Sequence, residues 1–310
     1  MSVRIYSSGS VTDSHRIPFS IRALLLIPTI RYSKLGAKIL LLYELRKEFR
    51  DFLFYSHTFG YFKKKPYLCT AKQISLVIRA ITIHHSVMLL IFDLDGTLLN
   101  TIADLGMACN HALQALGYPP HALEEYPHLV GNGVNKLIER ALPAEVKISC
   151  EQTHDLILRM RAEFIPYYNA HNLDLTRPYP GVPEVLESLK AAGHKLAVAS
   201  NKYQEATEKV VAHFFPNTFD VVYGEREGIE RKPDPTIVLN IFDALHQSSE
   251  QTLYVGDSLV DIATARNAKV PVAACTWGFC SREELAAAEP DYLLEKAEGL
   301  LAIVQELNKK

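Results

Sequence analysis

Met88-Leu89-Leu90-Ile91-Phe92-Asp93-Leu94-Asp95-Gly96-Thr97-Leu98 is the stretch on which the reading of this chain turns. An unbroken apolar run, Leu89–Phe92, stops at two aspartates one residue apart and then at a glycine. A short run of that kind, apolar on both faces, reads as a strand buried inside a parallel sheet. The acidic residues directly after it fall where an open α/β sheet binds its ligands, outside the carboxyl ends of its strands.

Downstream the same rhythm repeats. Lys195–Ala199, Val221–Tyr223, Thr252–Val255 and Val270–Ala274 read as further short strands. Helices are expected at Pro183–Ala192, Gln204–His213, Pro235–Leu245, Val260–Ala268 and Leu294–Leu307, with Gly193 as a helix stop. Between the first two strands lies a segment much longer than one crossover helix. Ala103–Leu116, Val134–Leu142 and Val146–Phe164 all carry helical patterns, with no strand pattern among them. The expected fold is therefore α/β: a Rossmann-like, doubly wound parallel sheet with an inserted all-helical domain. The expected boundaries are 88–104 for the first part of the core, 105–175 for the insertion and 176–310 for the rest of the core.

Residues 1–87 read differently. They hold 14 Lys/Arg against 4 Asp/Glu, whereas residues 88–310 hold 19 against 31. Two halves so unlike in charge are not expected to fold as one unit. Neither apolar run in this stretch, Ala23–Ile27 or Ile39–Tyr43, approaches the roughly 20 residues of a membrane helix. The expectation is a basic extension outside the fold, from an upstream mis-assigned start before Met88, with an organelle leader as the other reading. The five cysteines, Cys69, Cys109, Cys150, Cys275 and Cys280, form no CxxC pair, so a reducing, cytoplasmic setting is expected. The acidic main part argues against nucleic acid as a partner.

Polar residues gather after the strand-like runs: Asp93 and Asp95; Ser200-Asn201-Lys202; Gly256-Asp257-Ser258, with Asp261 a helical turn on; and Lys232 in an Arg231–Pro235 loop. Singly, each has an ordinary reading. An Asp after a strand caps a turn, Ser200-Asn201 caps a helix, and Lys232 is a solvated loop charge. A calcium loop is excluded, because no Glu follows at the required place. Together they suggest more. Acidic groups on two strands can hold one divalent cation through oxygen. A carboxylate beside it can attack phosphorus, and a second can move protons to the leaving group and from water. A hydroxyl, an amide and a lysine can balance charge on a transferring phosphoryl group.

These residues resemble the four motifs of the haloacid dehalogenase-like phosphatase superfamily. Phe92–Leu98 resembles the first, Ala199-Ser200-Asn201 the second, Lys232-Pro233 the third and Gly256-Asp257-Ser258 the fourth, in order from Met88 to the C-terminus. The resemblance implies a nucleophilic Asp93, a general acid–base Asp95, and phosphate contacts from Ser200, Asn201 and Lys232. It implies Mg2+ held by the Asp93 side chain, the Asp95 backbone carbonyl and Asp257, with Asp261 supporting the metal shell. The insertion resembles the cap of phosphoglycolate phosphatases through Val130-Gly131-Asn132-Gly133 and Leu137–Leu142, and Tyr179–Val182 is similar too. Gly131, Asn132 and Gly133 are therefore expected to bind substrate, with an ordinary loop before a helix as the other reading. Asn100-Thr101 departs from the Asp-Ser of many relatives.

The activity implied is magnesium-dependent hydrolysis of a small phosphorylated metabolite, without nucleic acid or membrane. A phosphosugar mutase and a catalytically silent binding protein are the alternatives. Lys136 and Arg140, four apart on one helix, either meet a substrate carboxylate or stay solvated. Tyr167 and Tyr168 are expected to pack within the insertion, and Trp277 and Phe279 to close the core or line the site entrance.

Overall fold

The computed structural model describes residues 87–147 and 150–308. Everything expected of residues 1–86 lies outside the described residues. Within them, β1 (Leu89–Phe92) is followed by a two-residue strand β2 (Leu99–Asn100) and helix α1 (Ile102–Ala115). A 3-10 segment at Leu123–His128 leads to α2 (Val134–Ala141) and α3 (Cys150–His171). The chain returns through β3 (Arg177–Pro178) and α4 (Val182–Ala191). Then come β4 (Lys195–Tyr203), α5 (Gln204–Phe214), β5 (Val221–Glu225) and α6 (Thr236–Leu245). The last elements are β6 (Thr252–Gly256), α7 (Leu259–Asn267), β7 (Val272–Cys275), α8 (Arg282–Ala287), β8 (Tyr292–Leu294) and α9 (Gly299–Leu307).

Six strands form one parallel sheet in the order β5-β4-β1-β6-β7-β8. The chain runs outward from β1 through β4 and β5, then crosses to β6 on the other side. The strand order therefore switches direction at β1, and a crevice opens at such a point.

The apolar run that ends at Asp93 is buried on both sides because its residues alternate between two layers. Leu90 and Phe92 join the core beneath α4, α5 and α9, whereas Leu89 and Ile91 join the one beneath α6, α7 and α8. Helix α4 shows why these helices dock: its buried residues Val182, Val185, Leu186 and Leu189 fall on one 3.6-residue face.

Two boundaries differ markedly from expectation. β4 continues through Ser200, Asn201 and Lys202 to Tyr203, because these polar residues stay buried and extended beside β5, whose register shifts between Ala199 and Tyr203. The last helix begins at Gly299 and not at Leu294, because Leu294 ends an edge strand, β8, paired with β7. That strand and α8 are too short for their periodicity to stand out.

The β2–β3 pair is antiparallel, Leu99 opposite Pro178 and Asn100 opposite Arg177, and it gathers the two ends of the helical insertion. Asp104 ties them together: its carboxylate accepts from the Leu175 and Thr176 N–H groups and from the Thr176 hydroxyl at 2.7–3.2 Å. The insertion has its own apolar core, including Tyr126, Ile138, Met160 and Phe164. Among the described residues, no helix is long and apolar enough to cross a membrane.

Candidate active site

Asp93 follows β1, its N–H bonded to the Val255 carbonyl of β6 at 2.9 Å. The chain then turns sharply, with Leu98 and Leu99 N–H groups both donating to the Leu94 carbonyl. That turn leaves Asp93 and Asp95 at the mouth of the crevice. Three carboxylates converge there: Asp93, Asp257 and Asp261 each offer an oxygen, all within 4.8 Å of one another.

Lys232 stands among them. Its Nζ lies 2.9 Å from Asp93 Oδ1 and 2.8 Å from Asp261 Oδ1, and the Tyr254 hydroxyl is 3.2 Å away. Burial opposes its charge, yet Asp261 and Asp93 outweigh that and hold its pKa well above the usual lysine range. Asp93 moves the other way. Burial, then the Asp261 charge, pushes its carboxyl up to about 7 despite Lys232. Asp257 is likewise raised by burial and by the charges of Asp261 and Asp93, although the Phe279 N–H and the Thr97 hydroxyl lower it in part. Three buried carboxylates against one ammonium leave an excess of negative charge, and a hard cation bound by oxygen suits that donor set. The group is thus able to hold a metal ion.

Asp257 is fixed by close packing. The Thr97 hydroxyl donates to its Oδ1 and the Phe279 N–H to its Oδ2, each at 2.8 Å. Gly96 and Gly278 press against it so closely that a Cβ at either would fall 2.2 Å from an Asp257 atom. Only glycine permits such an approach. Trp277 donates its indole N–H to the Thr97 carbonyl at 3.1 Å, closing the same corner. Asp261 forms a reciprocal cap with Ser258 at the start of α7, where Asp261 Oδ2 accepts from the Ser258 N–H and hydroxyl.

The other expected residues reach the site in different ways. Ser200 and Asn201 line the cleft together with Asp93 and Asp95. The Asn201 amide is engaged on both sides by the Lys232 backbone, donating to its carbonyl at 3.1 Å and accepting from its N–H at 2.9 Å. It braces the loop that carries Lys232. Gly131 and Gly133 of the insertion line the opposite wall. Asn132 does not: its Oδ1 accepts from Arg140 at 2.6 Å.

The structure also engages groups whose partners the sequence left undefined. Lys202, buried at the end of β4, places its Nζ 2.8 and 2.9 Å from the two oxygens of Asp95, and Asp95 outweighs burial to raise the lysine pKa. Above it lies Tyr168 of α3, its ring centroid 4.8 Å from the Lys202 nitrogen. Tyr168 therefore lines the cleft, while Tyr167 stacks between His111 and His171. Lys136 pairs with Glu139 at 2.7 Å, and Arg140 donates to the Leu129 and Val130 carbonyls. An apolar patch of Leu105, Val134, Leu137 and Phe164 completes the roof.

A family model described as haloacid dehalogenase-like hydrolase matches residues 90–275. A phosphoglycolate phosphatase of Vibrio parahaemolyticus is 36% identical over 220 residues, covering 70% of this chain and 96% of that protein. One from Aquifex aeolicus is 31% identical over 220 residues, covering 69% and 95%. The crystal structure of a predicted phosphoglycolate phosphatase from Haemophilus somnus superposes with a TM-score of 0.64 at 30% identity, covering 71% of this chain and 99% of the other. Sequence motifs, sheet order and these likenesses agree: the chain belongs to the haloacid dehalogenase-like hydrolase family, in its phosphoglycolate phosphatase-like branch.

Proposed function

We propose that this protein is a magnesium-dependent phosphatase that hydrolyses a small, phosphoglycolate-like phosphate monoester through an aspartyl-phosphate on Asp93. The observation that carries this reading is the convergence of Asp93, Asp257 and Asp261 around Lys232 at the open end of the central strand.

An Asp93 oxygen attacks phosphorus as the bond from phosphorus to the ester oxygen breaks, and Asp95 gives that oxygen its proton. In the second half water attacks the phosphorus, Asp95 takes the water proton, and the bond to Asp93 breaks to release inorganic phosphate. Lys232 neutralises charge on the phosphoryl oxygens, helped by Ser200 and by the loop that Asn201 braces. Asp93, the Asp95 carbonyl and Asp257 would hold Mg2+, which supplies positive charge to a phosphoryl oxygen and keeps it facing Asp93. The helical insertion acts as a cap that excludes water during the first transfer. Cys109, Cys150, Cys275 and Cys280 are free thiols, which supports a reducing, cytoplasmic setting.

The direct test is phosphate release by the full-length protein from a panel of small phosphoesters, with and without EDTA. Activity is expected to vanish on chelation and return with added magnesium. Asp93→Asn is expected to abolish turnover of every ester while the circular dichroism spectrum stays unchanged. Substantial residual hydrolysis by that variant would refute the nucleophile assignment.

A further inference from the structure

Proton delivery in the proposed reaction falls to Asp95, so the groups that hold its carboxyl decide how well it is aimed. Lys202 is the first of them. Its nitrogen lies 2.8 and 2.9 Å from the two Asp95 oxygens, a two-point grip that limits rotation of the carboxyl about its own bond. The lysine side chain is 3% exposed and that of Asp95 16%. Asp95 therefore stays partly open to the cleft it lines, while its anchor is shut off from water.

Lys202 has a seat of its own, and the insertion supplies it. Tyr168 of α3 is fully buried, with its ring centroid 4.8 Å from the Lys202 nitrogen and its hydroxyl facing the same ammonium. An ammonium has three N–H bonds; two are on Asp95, and the third is left for that hydroxyl. Asn169, the next residue of α3, accepts from the Tyr203 hydroxyl at 2.6 Å, which pins the helix to the end of β4 beside Lys202. Burial opposes the lysine charge, but Asp95 and then Tyr168 outweigh it and keep Lys202 protonated. A chain of contacts thus runs from the insertion through Tyr168 and Lys202 to Asp95.

We propose that Lys202 and Tyr168 are positioning residues for the acid–base step: Lys202 aims the Asp95 carboxyl at the ester oxygen, and Tyr168 holds Lys202 in place. As the bond from phosphorus to the ester oxygen breaks, the proton passes from Asp95 to that oxygen. The carboxylate left behind is matched by the Lys202 ammonium. This inference rests on the phosphatase reading above and goes beyond it by giving the insertion control of Asp95. Its rival is that the two residues support only the fold.

A leaving-group comparison separates the two. The alkoxide of 2-phosphoglycolate needs a proton to depart, whereas p-nitrophenyl phosphate releases a weakly basic phenolate that leaves without one. The parameter kcat/KM covers the steps up to that departure, so the later attack by water does not enter it. In the full-length protein, Lys202→Met is expected to lower kcat/KM by about 10- to 100-fold more for 2-phosphoglycolate than for the nitrophenyl ester, part of the full value of a general acid. Tyr168→Phe keeps the ring and removes the hydroxyl, and its selective loss should be about three- to tenfold. Either substitution placed in Asp95→Asn should cost 2-phosphoglycolate less than about twofold more, because it acts through a group already disabled. Equal losses on the two esters, or no loss, in either variant overturn that residue's role. A full further loss in the Asp95→Asn background overturns the route through Asp95 and shows that the lysine meets the substrate itself. If Lys202→Met does not fold, the Tyr168→Phe comparison decides. Equal losses in variants of an active wild type sink this inference alone; a wild type that releases phosphate from neither ester removes the phosphatase reading with it.

Discussion

Asp261 holds Lys232 in place: the carboxylate oxygen lies 2.8 Å from the ammonium nitrogen, and the two side chains are 0% and 2% exposed. Removing one partner of a buried pair typically costs about 3 to 5 kcal/mol when the other is left alone; Lys232 keeps Asp93 at 2.9 Å, so the expected cost is the smaller one of lost hydrogen bonds to a charged group, about 1 to 3 kcal/mol. Asp261→Ala is therefore expected to lower the free energy of unfolding by about that amount, read from urea denaturation. It should also lower kcat, because Lys232 loses one of its two anchors. A urea midpoint equal to wild type would show that the pair does not hold the site together.

Asp95 is the proposed proton carrier, lining the cleft two residues beyond the proposed nucleophile Asp93. Asp95→Asn keeps the shape and removes the transferable proton. On an alkyl phosphate, kcat should drop by about 10²- to 10⁴-fold while KM stays within a few-fold. Steady-state kinetics check this, and a defect confined to KM would place Asp95 in binding instead.

Gly278 gives Asp257 its room. A Cβ there would lie 2.2 Å from the Asp257 Cβ and 2.3 Å from its Oδ2. Gly278→Ala must displace the carboxylate, with an expected overpacking cost of about 1 to 3 kcal/mol and a rise of at least about tenfold in the magnesium concentration giving half-maximal activity. Magnesium titration of the variant checks both the packing and the ligand assignment. An unchanged titration would remove Asp257 from the ligand set.

The Asp93 carboxyl, raised to about 7, makes stability depend on pH in a defined direction. A raised carboxyl binds its proton more tightly in the folded than in the unfolded chain. Its contribution is complete below the unfolded value and is lost as pH rises through about 7. Metal-free protein should thus lose thermal stability between about pH 4 and pH 7. Magnesium stabilises only the ionised form, so the gain in Tm on adding it should grow across the same range. A gain that shrinks with rising pH would contradict the assignment of Asp93 to the metal.

Much of the fold was legible because its signal is local. An apolar run such as Leu89–Phe92 can satisfy both faces only within a covered sheet, and the i, i+3, i+4, i+7 pattern of Val182–Leu189 can bury only as a helix. The candidate site residues stand out for a related reason: Asp93, Lys232 and Asp257 follow strands or precede helices, where an α/β sheet presents its ligands. Strand β8 and helix α8 were not legible, since three to six residues carry too little periodicity. Nor was the extension of β4 through Ser200–Lys202, where burial beside β5 overrides a polar composition.

What the tertiary structure alone decided is which charges meet. Lys202 and Asp95 are 107 residues apart, and nothing in either local stretch selects the other. Arg140 might have faced a substrate on spacing alone, yet it bonds loop carbonyls, and Tyr168 reaches the cleft over Lys202. Long polar side chains take whichever partner the packed backbone brings within about 3 Å. The amino-acid order thus determined the sheet, its helices and the set of reactive groups; three-dimensional proximity determined how those groups are paired, because ion pairing depends on distance through space and not along the chain.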